Sequence, residues 1–292
     1  MPLNENQANN NSSRVEGINK TMQIHYFGWS GITLEHCDTL VGFDLFGEAV
    51  TWDALKSNQP ILMCLTHGHP EHAGSLEKLL EAPEARPYLA NVHLISSRDV
   101  IQHINRNKIL APENVHPVKD SESVTVNGVK ITVFDWVHMP LLPPGMREKL
   151  EYIFQLLIHP LDLLRIGTLG LSLPMNAPQL GFHLTYPDGK RVLNYSEGVH
   201  RLTDRAEVTQ IARKLPAEML FFAVEPDDAE AIPNWVEILA PSDVYIYEAH
   251  RPWRDTFHLP FIDLNKYAGE LSERFQRMTF NALVKEGQVI RG

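Results

Sequence analysis

Residues 66–74 read Thr-His-Gly-His-Pro-Glu-His-Ala-Gly, which puts His67, His69, Glu71 and His72 within six positions. Imidazole and carboxylate are the donors that suit Zn²⁺, iron or Mn²⁺. His67 and His69 stand two apart, so they point to the same side if they continue an extended segment. Pro70 then restricts the backbone, and Glu71 and His72 follow at the turn into a helix. A divalent cation would compensate such crowding of ligand-type groups. A chance run of histidines on a surface loop is the competing explanation in a chain with 14 His. The buried strand expected immediately before the stretch tells against it.

That strand is Gln59–Thr66, a short continuous apolar run. Three more candidate ligands stand at the ends of other expected strands. His138 closes KITVFDWV, Glu197 closes RVLNYS and His250 closes VYIYEA. Catalytic metals draw ligands from several strand ends in this way. The elements that must position them follow from periodicity. MQIHYFGW, GITLEHC and TLVGFDL alternate as an opening meander. Helical spacing follows in HAGSLEKLLEA, then a strand over 90–95, then the helix SRDVIQHINRN capped by Ser96 or Ser97. Asn127-Gly128 and Asp188-Gly189 each mark a hairpin. Beyond Ser196 helices and strands alternate: TDRAEVTQIARKL, EMLFFAV, DAEAIPNWVEIL, DVYIYEA, and a last helix near AGELSERFQRM. Hairpins first and alternation later imply α/β sheets in the middle with helices outside. No internal repeat stands out.

The 292 residues can bury a substantial core, with 43% hydrophobic residues. A net charge of −10 argues against nucleic acid and against anionic membrane surfaces as partners. Two cysteines imply no disulfide framework and fit a reducing cytoplasm. The polar, Asn-rich start lacks the apolar stretch of a signal peptide, and 1–21 reads as a disordered tail. No stable membrane insertion is expected, since no long uncharged apolar run occurs. A segment over about 139–179 breaks the rhythm. It is rich in Leu and Ile, punctuated by Pro, and interrupts what otherwise reads as one domain over 22–292.

The stretch THGHPEHAG resembles the metallo-β-lactamase superfamily motif T-H-x-H-x-D-H-x-G at all but one position. The opening HYFGWSGITLEHCDTLVGFDLF, with Asp44 near its end, and HRPWRDTFHLPF near the C-terminus resemble its lactonase-like branch. That branch includes lactonases of phosphorylated sugars and a phospholipase D acting on N-acylphosphatidylethanolamines. The resemblance implies a four-layer αββα sandwich with a metal pair at one sheet edge. Carried over by position, His67, His69 and His138 hold one metal, Glu71, His72 and His250 the second, and Glu197 bridges both. Zinc is expected first, with manganese or iron as alternatives. Glu stands at 71 and 197 where the family has Asp, and Ser196-Glu197-Gly198 replaces Gly-Asp-Thr. A carboxylate about 1 Å longer can change metal spacing or choice.

Such a pair implies a hydrolase that directs a metal-bound hydroxide at an ester, lactone, amide or phosphodiester. Glu71 could shuttle a proton to the leaving group, and Asp44 could orient a histidine ligand. The apolar insertion starts directly after His138. It is expected to be a lid favouring a lipid-like or other small-molecule substrate, or else a face packed on the core or in a homodimer. A di-iron oxidoreductase on the same fold and a non-catalytic binding module are the alternative functions. His200 and Arg251 are weaker candidates for substrate contact. Cys64, His159, His183, Tyr195 and Tyr247 read as structural, and the acidic run 224–230 as a solvated helix start.

Overall fold

The computed structural model describes residues 21–55, 59–140, 142–164 and 173–291. All but Thr21 of the expected tail, and positions 141 and 165–172 of the insertion, lie outside the described residues. Among the described residues, fourteen strands form two seven-stranded sheets. The first holds β1 (Gln23–Tyr26), β2 (Ile32–His36), β3 (Thr39–Phe43), β4 (Ile61–Cys64), β5 (Val92–Ser96) and β6 (Val115–Pro117), with β14 (Gln288–Arg291) beside β1. The second runs in the order β13 (Thr279–Leu283), β12 (Asp243–Tyr247), β11 (Met219–Ala223), β10 (Arg191–Ser196), β9 (Leu180–Thr185), β8 (Val129–Asp135), β7 (Ser123–Val126). In each sheet the three pairings at one end are antiparallel and the three at the other parallel.

Three apolar layers explain the stacking. Between the sheets lie Ile24, Leu34, Val41 and Leu62 from one side and Ile131, Phe182, Val192 and Phe221 from the other, all essentially inaccessible. The outer face of the first sheet is covered by α1 (Trp52–Leu55), α3 (Leu76–Glu81) and α4 (Arg98–Ile104), through Leu55, Leu76, Leu80, Val100 and Ile104. The outer face of the second is covered by α6 (Arg205–Lys214), α7 (Ile232–Leu239) and α9 (Leu264–Arg274), through Val208, Val236, Leu264 and Leu271. Strands buried on both faces read as continuous apolar runs, as β4 and β11 do. The architecture is therefore the αββα sandwich that the motif implies.

Local signals behave as expected at most joints. Val126 pairs with Val129 around the Asn127-Gly128 turn, both central residues at positive φ. Ser97, not Ser96, caps α4, accepting from Val100 N. The chain does not end with a helix: β13 and β14 follow α9. Both are edge strands with mixed burial, so neither shows the unbroken apolar run that exposes a central strand. The insertion contains α5 (Met146–Ile158), which has no buried residue among those described. It is therefore not packed into the core.

Candidate metal centre

β4 enters the first sheet between β3 and β5, fully buried, and delivers the motif at its C-terminal end. Beyond it the backbone stays pinned on both sides: Leu65 N donates to Ile95 O, and Leu180 N donates to Thr66 O at 2.8 Å. His69 remains extended, and Pro70 opens the single-turn α2 (Pro70–Ala73) at the position where its missing N–H costs nothing. That turn brings the His72 ring to 4.0 Å from that of His67 and Glu71 towards His69 and His250. A Cβ on Gly68 would stand 2.4 Å from Pro174 O, so only glycine lets the end of the insertion lie against the motif.

The other ligand-type residues come from the strand ends named by the sequence. His138 follows β8, Glu197 follows β10 and His250 follows β12. At Glu197 the register of β10 against β11 slips between Asn194 and Ser196, and Ser196 takes φ 52°. This bulge turns the next side chain out of the pleat and into the centre. One donor atom each from His67, His69 and His138 lies within 4.8 Å of the other two, and the same holds for His67, His72 and Glu197. Glu197 reaches His72 Nε2 at 3.1 Å, His138 Nε2 at 3.0 Å and His250 Nε2 at 3.6 Å. Glu71 lies 3.6 Å from His69 and 3.7 Å from His250. All seven residues thus surround one space.

Each of four imidazoles is held by its Nδ1, leaving Nε2 directed inward. Thr66 Oγ1 donates to Asp44 Oδ2 at 2.8 Å and takes a hydrogen bond from His67 Nδ1 at 2.9 Å. His72 Nδ1 lies 2.9 Å from Asp44, whose other oxygen accepts from Thr66 N. His138 Nδ1 donates to Met139 O at 2.7 Å, and His250 Nδ1 to Glu225 Oε1 at 3.1 Å. Histidine ligands of metals carry this kind of outer partner, which fixes tautomer and ring angle. Among the described residues, His67 Nε2, His138 Nε2, His250 Nε2 and Glu197 Oε2 are buried with no hydrogen-bond partner. Leaving four such atoms unpaired would cost about 1–3 kcal/mol each. His138 Nε2 and Glu197 Oε2 are close but not aligned as donor and acceptor, the geometry of groups aimed at a common third point. The donor set therefore fits cations.

The electrostatics agree. Burial would raise the Glu197 carboxyl, but the charges of His250 and His72 hold it well below the usual range. Glu71 is likewise held low against burial, by His250 and His69. Burial opposes charge on His72, yet Asp44 and Glu197 push it up to about 10. His67 is driven well below the usual imidazole value by burial and by His72. His67, His72 and Glu197 form the closed floor. The side chains of His69, Glu71, His138 and His250 each keep 14–16% exposure and form the open rim.

Two readings of single residues change. The run 224–230 is not a solvated helix start: Glu225 and Asp228 are each 2% exposed. Glu225 carries His250 through Nδ1 and backbone N, and is itself paired with Arg254. Its position just beyond β11, equivalent to Glu197 beyond β10, was the available signal. His200 does not face substrate space; it is fully buried, with Nε2 on Val137 O and Nδ1 accepting from Leu202 N. Arg251 lies over the Phe261 ring and pairs with Asp255. His183 donates to Pro216 O, Cys64 is buried, and His159 ends α5, all in structural positions.

No protein-family model and no curated protein matches this chain. Solved structures do. Igni18, a metallo hydrolase from the hyperthermophilic archaeon Ignicoccus hospitalis, superposes with a TM-score of 0.62 at 14% identity, over 92% of this chain and 97% of that one. YhfI, a metallo-β-lactamase fold protein from Bacillus subtilis, gives 0.56 at 14% identity, over 93% and 99%. CmlA, a diiron β-hydroxylase from Streptomyces venezuelae, gives 0.56 at 13%; this chain spans about half of its length, 54%. At such identities the likeness establishes the fold alone. The chain has the metallo-β-lactamase αββα fold, and metal-dependent hydrolases are among the proteins that share it.

Proposed function

We propose that this protein is a metal-dependent hydrolase with a dinuclear centre. The observation that carries this is the convergence of seven ligand-type side chains with three unpartnered imidazole nitrogens and one unpartnered carboxylate oxygen. His67, His69 and His138 would hold one cation, Glu71, His72 and His250 the other, with Glu197 between them. When bound, divalent cations lower the pKa of water and polarise the carbonyl or phosphoryl oxygen under attack. The chain's own residues hold that arrangement still. Asp44 and Thr66 fix His72 and His67, and Glu225 fixes His250. Glu71 stands at the open rim, where a carboxylate can pass a proton to a leaving group.

The bond cleaved would be an ester, lactone, amide or phosphodiester. An acyl or lipid-like substrate is favoured by what flanks the rim. Exposed Leu150, Phe154 and Leu157 lie on α5. This helix is tied to α8 (Arg251–Thr256), the helix that His250 starts, through Trp253 Nε1 on Tyr152 OH at 3.1 Å. Contact with a second copy of the chain is the other use of that face. No described helix is long and apolar enough to cross a membrane. Two free cysteines fit a cytoplasmic setting. Zinc suits the three-histidine set. A di-iron oxidoreductase is the second reading, favoured by glutamates at both 71 and 197 and by the shared fold of a diiron hydroxylase. Metal content per chain, measured by plasma mass spectrometry on wild type and His69→Ala, separates them. Near two zinc or manganese, falling in the variant, supports the hydrolase. Iron puts the oxidoreductase first, and no metal after reconstitution leaves a binding module.

A further inference from the structure

A second group of ligand-type side chains stands at the opposite end of the sandwich. β2 ends at His36 and β3 begins at Thr39, so Cys37 and Asp38 make the two-residue turn, at φ 47° and 53°. In the other sheet, Asp188 sits in the turn between β9 and β10. β3 and β10 each lead from these turns to a residue of the metal centre, Asp44 and Glu197. At about 3.3 Å per residue, the two ends lie roughly 15–20 Å apart.

The side chains close across the gap between the sheets. His36 Nε2 meets Asp188 Oδ2 at 2.7 Å. One donor atom each from His36, Cys37 and Asp188 lies within 4.8 Å of the other two. His36 is 5% exposed, and its Nδ1 is buried with no partner among the described residues. Cys37 is half-buried and keeps a free thiol. Its proton is held more tightly than usual by burial and by the Asp188 charge, which a bound cation would reverse. Thiolate, imidazole and carboxylate together form a donor set for a borderline divalent cation.

We propose that His36, Cys37 and Asp188 form a separate metal site of the zinc class, with water completing the coordination. On binding, the Cys37 S–H bond breaks, its proton goes to solvent and a sulfur–metal bond forms, with no change of oxidation state. The ion would clamp the β2–β3 hairpin of one sheet to the β9–β10 hairpin of the other. This assignment does not depend on the hydrolase reading.

Cadmium titration of the metal-stripped full chain tests it, read by the ultraviolet charge-transfer band of a cadmium–thiolate bond. Cys64 is inaccessible in the inter-sheet core, so Cys37 is the thiol within reach. The band should reach the amplitude of one cadmium–thiolate bond per chain in wild type, persist in His69→Ala, weaken in Asp188→Asn and vanish in Cys37→Ser. A wild-type experiment stands beside it should Cys37→Ser not fold: zinc should slow thiol labelling of Cys37 by about tenfold or more. No band in folded wild type, a band that survives Cys37→Ser, or labelling unaffected by zinc would each overturn the site.

Discussion

Glu225 shows how much of the proposed metal centre lies outside its candidate ligands. It accepts from His250 Nδ1 and backbone N, and its second oxygen pairs with Arg254. Burial would raise this carboxyl, but His250 and Arg254 keep it below the usual range and ionised. Glu225→Gln should therefore leave the fold intact and weaken the His250 cation about 10–100-fold, as loss of such outer partners does. Chelator competition would read this as one weakened site beside one unchanged site. Equal weakening of both would contradict a role confined to His250. Proton release gives a second test. In the metal-free protein Asp44 and Glu197 raise His72 to about 10, so it carries an extra proton at pH 8, and Glu197 and Glu225 raise His250 well above its usual value. A metal ligand must be neutral imidazole, so binding displaces such protons. His67, driven low, has none to give. Filling this centre at pH 8, in Cys37→Ser protein so that the thiol contributes nothing, should thus release at least about one proton per chain, measured from binding enthalpies in buffers of different ionisation heat. No release would mean that His72 is not a ligand.

At the scale of elements, α5 has no buried residue among those described. Met146, Leu150, Phe154 and Leu157 are 60–72% exposed. Replacing Leu150, Phe154 and Leu157 together by Gln should shift stability by only about ±0.5 kcal/mol per site, while changing turnover or binding of apolar substrates. A loss of several kcal/mol in chemical denaturation would instead place this face in a packed interface. Gly68 is the opposite case. Gly68→Ala must move backbone at Pro174, and a cost of about 1–3 kcal/mol in the same measurement is expected. The contrast also shows what the sequence could express. The strand end at 66 and the spacing of His67, His69, Glu71 and His72 are local, so the sequence displays them directly. His138, Glu197 and His250 were legible because each ends an apolar run. Glu225 has the same placement, but its acidic neighbours resemble solvated surface, and only tertiary contact with Arg254 makes burial affordable. β13 and β14 escaped because edge strands share their exposure with turns. Whether α5 would cover the core could not be read either, since an apolar stripe looks alike buried or bare.

At the scale of the molecule, the centre sits on the seam between two half-structures. His67, His69, Glu71 and His72 follow a strand of the first sheet, whereas His138, Glu197 and His250 follow strands of the second. Without metal, the seam is held by imidazolium–carboxylate pairs, and these bind protons differently in the folded and unfolded chain. His72 and His250 have folded values raised above the ordinary 6.5, so their contribution is complete below about pH 6.5 and is lost as pH rises through the raised values. Glu71 and Glu197 have lowered values, so theirs is present above about pH 4.5 and is lost as pH falls below it. Metal-stripped protein should therefore be most stable between about pH 4.5 and 6.5 and should weaken steadily from pH 7 to 10. Bound metal would reverse the slope on the alkaline side, because cations would compete with protons for the same nitrogens. At a free concentration of 1,000 times Kd, one cation adds about 4 kcal/mol, and for a chain of this size that is on the order of 10 °C in Tm. Thermal melts of stripped and loaded protein at pH 6 and pH 9 should show the larger gap at pH 9. A gap that is equal at both, or larger at pH 6, would mean that the seven side chains do not hold their protons and their metals in the same place.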